Sequence, residues 1–143
     1  MVNFDRMRKL IRDEEHMRWA IERQTSKATK ITTTLSKTGG GHTNRVESKT
    51  ENGAVALAVL KDEYQSIWYE LEAQRKELRR LMTKIRNEEY RLEKLCLRMR
   101  YLKGVSVRII AVTQNYSESY IFNVMKRAEE MVMKIQDKQN SSE

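Results

Sequence analysis

An apolar seam with alternating three- and four-residue spacing runs through the middle of this sequence. Its positions are Leu57, Leu60, Tyr64, Ile67, Leu71, Gln74, Leu78, Leu81 and Ile85, and Gln74 is the polar exception. A seam sustained over about four heptads is typical of long helices that pack as coiled coils. The chain contains no proline, the residue that breaks a helix most strongly. The sequence therefore predicts an all-α fold built on a long helix over about residues 54–86.

The seam of this helix needs a partner, and the N-terminal segment offers one. From Asn3 to Leu35, apolar residues recur at three- to four-residue spacing along one helical face. The stretch 36–53 contains a run of glycines and is mostly polar, which is typical of a loop. We therefore expect residues 1–86 to form a long antiparallel helical hairpin, coiled-coil-like, with its loop at 36–53 and with Trp19 and Trp68 as anchors. Another copy of the chain, as in a homodimer, is the alternative partner.

The C-terminal region, residues 87–136, changes from long helices to short ones. Asn87, Ser106 and Ser117 can each accept a hydrogen bond from the first turn of a helix, and we expect three helices to begin after them. The first ends near Gly104, which suits a left-handed C-terminal turn. Residues 137–143 are expected to fray.

The second and third of these short helices have the pattern of a helix-turn-helix. Ala111 is small where the helices cross, and Asn115 tolerates the positive φ that the turn requires. Apolar core positions are expected at Ile110, Tyr116, Ile121 and Val124. Gln114 departs from the pattern, because an apolar residue usually precedes the turn.

The positive charge of the chain lies almost wholly in its C-terminal half. The net charge is +8, and residues 75–138 hold 16 Lys and Arg against 8 Asp and Glu. Residues 1–74 hold 12 Lys and Arg against 11 Asp and Glu, a net charge of +1. A local basic excess of this size attracts polyanions, among which nucleic acid is the leading candidate. Because many basic helical proteins have no such partner, the charge alone does not decide the question.

Catalytic and cofactor sites find no support in the residue types present. The histidines are His16 and His42, the single cysteine is Cys96, and their spacing matches no metal site. The glycine run lacks the lysine and hydroxyl residues of a phosphate-binding loop. No segment has the length of apolar residues that a membrane span or a signal peptide requires. We expect a cytoplasmic protein that is not an enzyme and uses no cofactor, metal, membrane or small-molecule substrate.

Several segments resemble region 4 of bacterial sigma factors, the module that reads a promoter element and contacts RNA polymerase. They are Leu97-Arg98-Met99-Arg100-Tyr101, Gly104-Val105-Ser106, Ile110-Ala111 and Tyr116-Ser117-Glu118-Ser119-Tyr120-Ile121. The stretches Ser26–Thr32 and Gly53-Ala54-Val55 are similar to small phage proteins grouped with RinA- and ArpU-type late-gene activators. The resemblance implies a phage or prophage transcription activator in a bacterial host cytoplasm, working with host RNA polymerase.

The helix-turn-helix geometry nominates residues for contact with double-stranded DNA. The first two turns of the last helix would enter the major groove. The candidate base-reading residues are Glu118, Ser119, Tyr120, Phe122 and Asn123. The candidate phosphate contacts are Arg98, Arg100, Lys103, Arg108, Lys126 and Arg127.

Two other functions share these sequence features. A small-terminase-like subunit that recognises DNA for phage packaging also joins a helix-turn-helix to helical oligomerisation elements. A coiled-coil interaction protein that does not bind DNA would use its C-terminal region to contact protein. The mass of the assembly separates an activator from a packaging ring, and salt-dependent DNA binding separates both from the interaction protein.

Overall fold

The structure, a computed structural model, describes the backbone of residues 1–38 and 43–142 and the side chains of residues 1–27 and 53–142. Its regular elements are α1 (Phe4–Thr38), α2 (Thr43–Met82), α3 (Arg91–Leu97), a π-helical turn (Arg98–Leu102), α4 (Val107–Gln114) and α5 (Glu118–Ser141). The predicted all-α class is confirmed, since the described residues form no strand. The glycine run, Gly39–Gly41, lies outside the described residues.

The two long helices extend into the stretch that we predicted as a loop. α1 continues to Thr38 and α2 begins at Thr43, so the prediction of a loop over 36–53 is wrong for residues 36–38 and 43–53. The polar residues and threonines of this stretch have low helix propensity, but propensity is a weak guide within a long helix. α5 likewise continues to Ser141, so residues 137–141 of the predicted tail are helical.

The helix after α2 begins later than predicted. α3 starts at Arg91, and residues 83–90 form turns instead of helix, so the predicted start after Asn87 is wrong. The Lys94 ammonium donates to the Ile85 carbonyl (3.2 Å) and to the Asn87 side chain. These two bonds satisfy oxygen acceptors of the turn and so compensate for the helical bonds that are absent there.

The chain divides into two compact units. The terminal unit combines Met1–Ile11 with Glu70–Glu143, and the central unit is Arg12–Tyr69. The boundaries fall within α1 and α2 and differ from the predicted division after residue 86. The start of α1 and the end of α2 belong with the C-terminal helices because their apolar side chains lie in the same core. The fully buried members include Met7, Leu10, Leu71, Leu78, Leu81, Leu97, Ile121, Val124 and Val132.

Within the terminal unit, two glutamine side chains hold the first three residues. Gln74 accepts a hydrogen bond from the Asn3 amide (2.9 Å) and donates to the Met1 carbonyl (3.0 Å). Gln136, which is buried, accepts from the Val2 amide (2.7 Å) and donates to the Val2 carbonyl (3.3 Å). Each amide side chain therefore satisfies one backbone donor and one backbone acceptor. This pairing explains why a polar residue interrupts the apolar seam at Gln74.

A polar cluster around Tyr101 connects three helical elements of the terminal unit. The Tyr101 ring is buried and packs on Phe4, with ring centroids 4.9 Å apart. Its hydroxyl donates to Glu129 and accepts from Arg8 (2.7 Å), and Arg8 also pairs with Glu129 (2.8 Å). Burial, reinforced by the bond to Glu129, raises the pKa of Tyr101 above its ordinary value, so the hydroxyl stays protonated.

The central unit has no core among its described side chains. Between residues 12–27 and 53–69, every described side chain is at least partly exposed. Trp19 is 57% exposed and Trp68 is 41% exposed, so the expectation that they anchor the helix packing is wrong. Among the described side chains of this unit, the Tyr64 hydroxyl donates to Glu14 (3.0 Å), a polar contact between its two helices.

Candidate nucleic-acid interface

The entry into α4 is fixed by a glycine turn and a serine cap. Gly104 has φ +70°, the left-handed conformation predicted for it. The Val105 amide then donates to the Met99 carbonyl (2.8 Å), which closes the π-helical turn. The Ser106 hydroxyl accepts from the Ile109 amide (3.4 Å), so its predicted role as N-cap is confirmed.

The turn between α4 and α5 is centred on Asn115. Its φ of 64° and ψ of 40° lie in the left-handed region, as predicted. The Tyr116 amide donates to the Ala111 carbonyl (2.9 Å) and the Asn115 amide to the Val112 carbonyl (3.4 Å). These two bonds form a Schellman motif, which ends α4 sharply and directs the chain into α5.

The start of α5 presents one buried face and one exposed face. The Ser117 hydroxyl accepts from the Tyr120 amide (3.2 Å), which confirms the predicted N-cap. The buried face consists of Ile121, Val124, Met125, Ala128 and Val132, and α4 contributes Ile110 and Ala111 to the same core. Since a helix buries residues at three- to four-residue spacing, the positions between them face outward.

All five candidate base-reading residues are exposed on the first two turns of α5. They are Glu118, Ser119, Tyr120, Phe122 and Asn123. The Phe122 ring is 51% exposed and lies 4.8 Å below the Lys126 ammonium, an arrangement that favours the cation electrostatically. The structure therefore brings these residues together on one accessible helix end.

Tyr116 does not occupy the core position predicted for it. Its side chain is 48% exposed, and its ring lies 4.8 Å from the ring of Tyr120. The Schellman turn directs the residue after Asn115 outward, where it joins the exposed aromatic side chains of α5. The sequence pattern missed this because an aromatic residue fits either environment.

α4 adds two exposed aliphatic side chains that the sequence pattern does not indicate. Val112 is 75% exposed and Ile109 is 54% exposed. α4 is apolar at five of its eight positions, and only Ile110 and Ala111 are buried. Periodicity cannot select the outward positions of such a short, mainly apolar helix.

Three of the candidate phosphate contacts lie beside α5 and its cap. Lys126 is exposed on α5, and Arg127 is 57% exposed, with its guanidinium 3.9 Å from Glu93 of α3. Arg108 is 85% exposed and lies 3.9 Å from the Glu118 carboxylate. At this distance and exposure the pair contributes little to stability, so Arg108 keeps a charge available for a ligand.

The other candidate phosphate contacts lie on the α3 side. Arg98 and Lys103 line one groove of about 420 Å³ together with Arg79 and Lys94. Arg100 is half-buried, and its guanidinium lies 5.9 Å from the centre of the Tyr101 ring. The structure therefore groups Arg98 with Lys103 but does not place Arg100 in that groove.

A larger groove connects the basic side chains to the turn. It has a volume of about 950 Å³ and is lined by Arg91, Lys94 and Arg98 as well as by Gln114 and Tyr116. Arg79, Arg91 and Lys94 were not among the predicted contacts. The local basic excess in the sequence was the signal for them, but it does not reveal which cations share a groove.

The described residues give no support for a metal site, a nucleophilic cysteine or a membrane span. They hold no cluster of three or more histidine, cysteine or acidic side chains that could bind a metal ion. Cys96 is buried in α3, and burial together with the charge of Glu93 raises the pKa of its thiol to about 11. A buried thiol with so high a pKa is a poor nucleophile at neutral pH. None of the described helices combines the length and the apolarity needed to cross a lipid bilayer.

Comparison with known proteins returned no matching family model, no matching curated protein and no matching solved structure.

Proposed function

We propose that this protein is a sequence-specific DNA-binding transcription regulator of a phage or prophage, an activator that works with host RNA polymerase. In this proposal α4 and α5 form a helix-turn-helix of the sigma region 4 type, carried with the antiparallel pair of α1 and α2. The observation that carries it is the exposed end of α5, where five polar or aromatic side chains project beside Lys126 and Arg108. An exposed helix end of this composition fits the DNA major groove.

The base-reading role follows from the chemistry of the exposed side chains. The Asn123 amide can donate to and accept from an adenine edge, which pairs these two groups bidentately. The Glu118 carboxylate can accept from a cytosine amino group. Phe122, Val112 and Ile109 present apolar groups that fit thymine methyls. We therefore expect a target site with A·T pairs under the apolar part of this surface.

The phosphate contacts would supply most of the affinity. Arg108 lies at the N-terminal end of α5, next to Glu118, and Lys126 lies two turns along the helix. If all six candidate cations neutralise one phosphate each, log K would fall against log salt with a slope of about −5. Arg91 and Lys94, which line a groove with Arg98, would make this slope steeper.

Titration of DNA binding by two alanine variants tests the proposal. The target would first be selected from a random duplex library by the full-length protein. Asn123→Ala is expected to reduce discrimination between the selected site and a scrambled duplex about 5- to 150-fold, the equivalent of about 1–3 kcal/mol. Lys126→Ala is expected to weaken binding to both duplexes about equally and to make the salt slope less steep by about 1.

Lys138→Ala is the matched control. Lys138 is exposed on the same helix and carries the same charge, but it lies 12 residues beyond Lys126, which is about 18 Å along a helix. It should change neither discrimination nor salt slope by a measurable amount. Equal behaviour of all three variants, or no salt-dependent binding by the unmodified protein, would remove α5 from DNA recognition.

The regulatory role has its own test. A chromatin-precipitation map in infected or induced cells is expected to show the protein at promoters together with RNA polymerase. A single peak at a DNA-packaging site, with a large ring assembly in solution, would favour the terminase-like alternative instead.

A further inference from the structure

One segment of α2 is apolar on every side and yet uncovered. Residues 54–60 read Ala-Val-Ala-Leu-Ala-Val-Leu, so no polar or charged side chain occurs for two helical turns. A helix that is apolar all round is normally buried. Here Val55 is 64% exposed and Val59 is 52% exposed, and the alanines and leucines of the segment are half-buried or exposed.

The described part of the central unit does not bury this segment. No described side chain of residues 12–27 or 53–69 is buried. Val55 and Val59 are four residues apart and so lie on one face of α2. The seam that begins at Leu57 lies on the opposite face, because two residues correspond to about 200° of helix rotation. The valine face therefore points away from the seam and is available to a second molecule.

The order of the residues suits another copy of the chain as the second molecule. Val55-Ala56-Leu57-Ala58-Val59 reads the same in both directions. When two such helices pack antiparallel about Leu57, Val55 of each copy lies level with Val59 of the other. A two-fold symmetric interface requires this reciprocity, in which the same patch meets itself. The alanines have short side chains, so the two helices can approach closely.

The distribution of charge supports the same partner. The central unit holds nine Lys and Arg against eight Asp and Glu, a net charge of +1. The terminal unit carries the remaining +7. Two copies that meet through the central unit bring together segments that are nearly neutral, so repulsion between like charges opposes this contact little. A partner attracted by charge would have no complementary charge to meet on residues 54–60.

We propose that this protein forms a two-fold symmetric dimer through residues 54–60 of α2, with the α2 helices of the two copies packed antiparallel about Leu57. The proposal depends on the α2 surface and on no property of the DNA face. Its failure would leave the DNA-binding proposal intact, and the reverse also holds.

Sedimentation of the full-length protein tests whether the surface is used. The unmodified protein is expected to sediment at about twice its chain mass of 17.0 kDa. Val55→Glu combined with Val59→Glu is expected to sediment as a single chain, because it places carboxylates in the apolar contact. Lys61→Glu is the control, since it lies in the same helix and also changes the net charge by −2. A monomeric unmodified protein would overturn the proposal, and so would a dimer that persists in the double variant.

Disulfide formation tests the register with substitutions that preserve the helix. A Val55→Cys chain mixed with a Val59→Cys chain is expected to form a covalent dimer under mild oxidation, because these positions lie level across the two-fold axis. Neither variant should form a covalent dimer by itself, because identical positions in the two copies are offset by four residues, about 6 Å along the helix axis. Cys96 is buried and does not compete. The antiparallel pairing would be refuted if each variant cross-linked with itself as readily as with the other, or if the mixture formed no covalent dimer.

Discussion

Replacing Asn115 by alanine and by glycine separates the backbone requirement of the α4–α5 turn from the asparagine side chain. Both variants lack the amide, so the difference between them reports the φ of 64°. Holding a residue with a Cβ in this left-handed region destabilises the folded state by about 1–2 kcal/mol. Glycine does not incur that cost, but its greater freedom in the unfolded chain costs about 0.5–1 kcal/mol. We therefore expect Asn115→Gly to be more stable than Asn115→Ala by roughly 0.5–1 kcal/mol.

The assay is urea unfolding followed by circular dichroism at 222 nm. Tryptophan fluorescence would not serve, because Trp19 and Trp68 both lie in the central unit and Asn115 lies in the terminal unit. In thermal unfolding, 1 kcal/mol in a chain of this size corresponds to a midpoint shift of about 2–4 °C. A difference of this size is within the reach of either method.

Thr113 provides the matched pair of control variants. It lies within α4, two residues before Asn115, and is exposed. In a helical backbone the order is reversed, so Thr113→Ala should be more stable than Thr113→Gly by about 0.5–1 kcal/mol. If alanine and glycine rank in the same order at both positions, the left-handed turn does not govern stability there and our account of the α4–α5 geometry is incorrect.

Two further predictions concern the interior of the terminal unit. Gln136→Leu leaves the buried Val2 amide and carbonyl without their partners. It should therefore reduce the free energy of unfolding, measured by urea titration, by about 2 kcal/mol. The control Asn140→Leu, at an exposed position, should change this free energy by less than about 0.5 kcal/mol. Burial raises the pKa of the Cys96 thiol to about 11 in the folded protein. Between about pH 9 and pH 11 the folded thiol therefore keeps a proton that the unfolded thiol loses, so the free energy of unfolding should fall as the pH rises through this range. Cys96→Ala should flatten this part of the pH–stability curve, and an unchanged slope would contradict the assignment.

The parts of the fold that the sequence predicts are those set by local chemistry. Ser106, Asn115 and Ser117 each act within four residues of their own position, and all three adopt the predicted roles. The seam also predicts burial at Leu71 and Leu78, where the helix meets several others. Caps, turns and periodic apolar faces depend on neighbouring residues, so a single sequence contains the information for them.

The parts that the sequence does not predict depend on contacts between distant segments. The pairing of Gln136 with Val2 spans 134 residues, and no local pattern indicates it. The bond from Lys94 to the Ile85 carbonyl spans only nine residues, but it joins α3 to the turn before it and is likewise not indicated by helical periodicity. The exposure of Trp19 and Trp68 has the same origin: an aromatic residue on a helix indicates a contact, but the residues themselves do not specify whether this chain or another provides it.

Two uncovered apolar surfaces among the described residues differ in their electrostatic surroundings, and that difference supports the two different partners proposed for them. Ile109, Val112 and Phe122 belong to α4 and α5, the helices of the basic terminal unit that also carry Arg108, Lys126 and Arg127. A protein partner would have to desolvate those cations, whereas DNA offers both phosphates to neutralise them and thymine methyls to cover the apolar groups. The apolar run at 54–60 has no charge within it, in a unit of net charge +1. The run offers no charge to the phosphates of DNA, and an identical apolar run, the partner proposed above, would cover it without desolvating a charge.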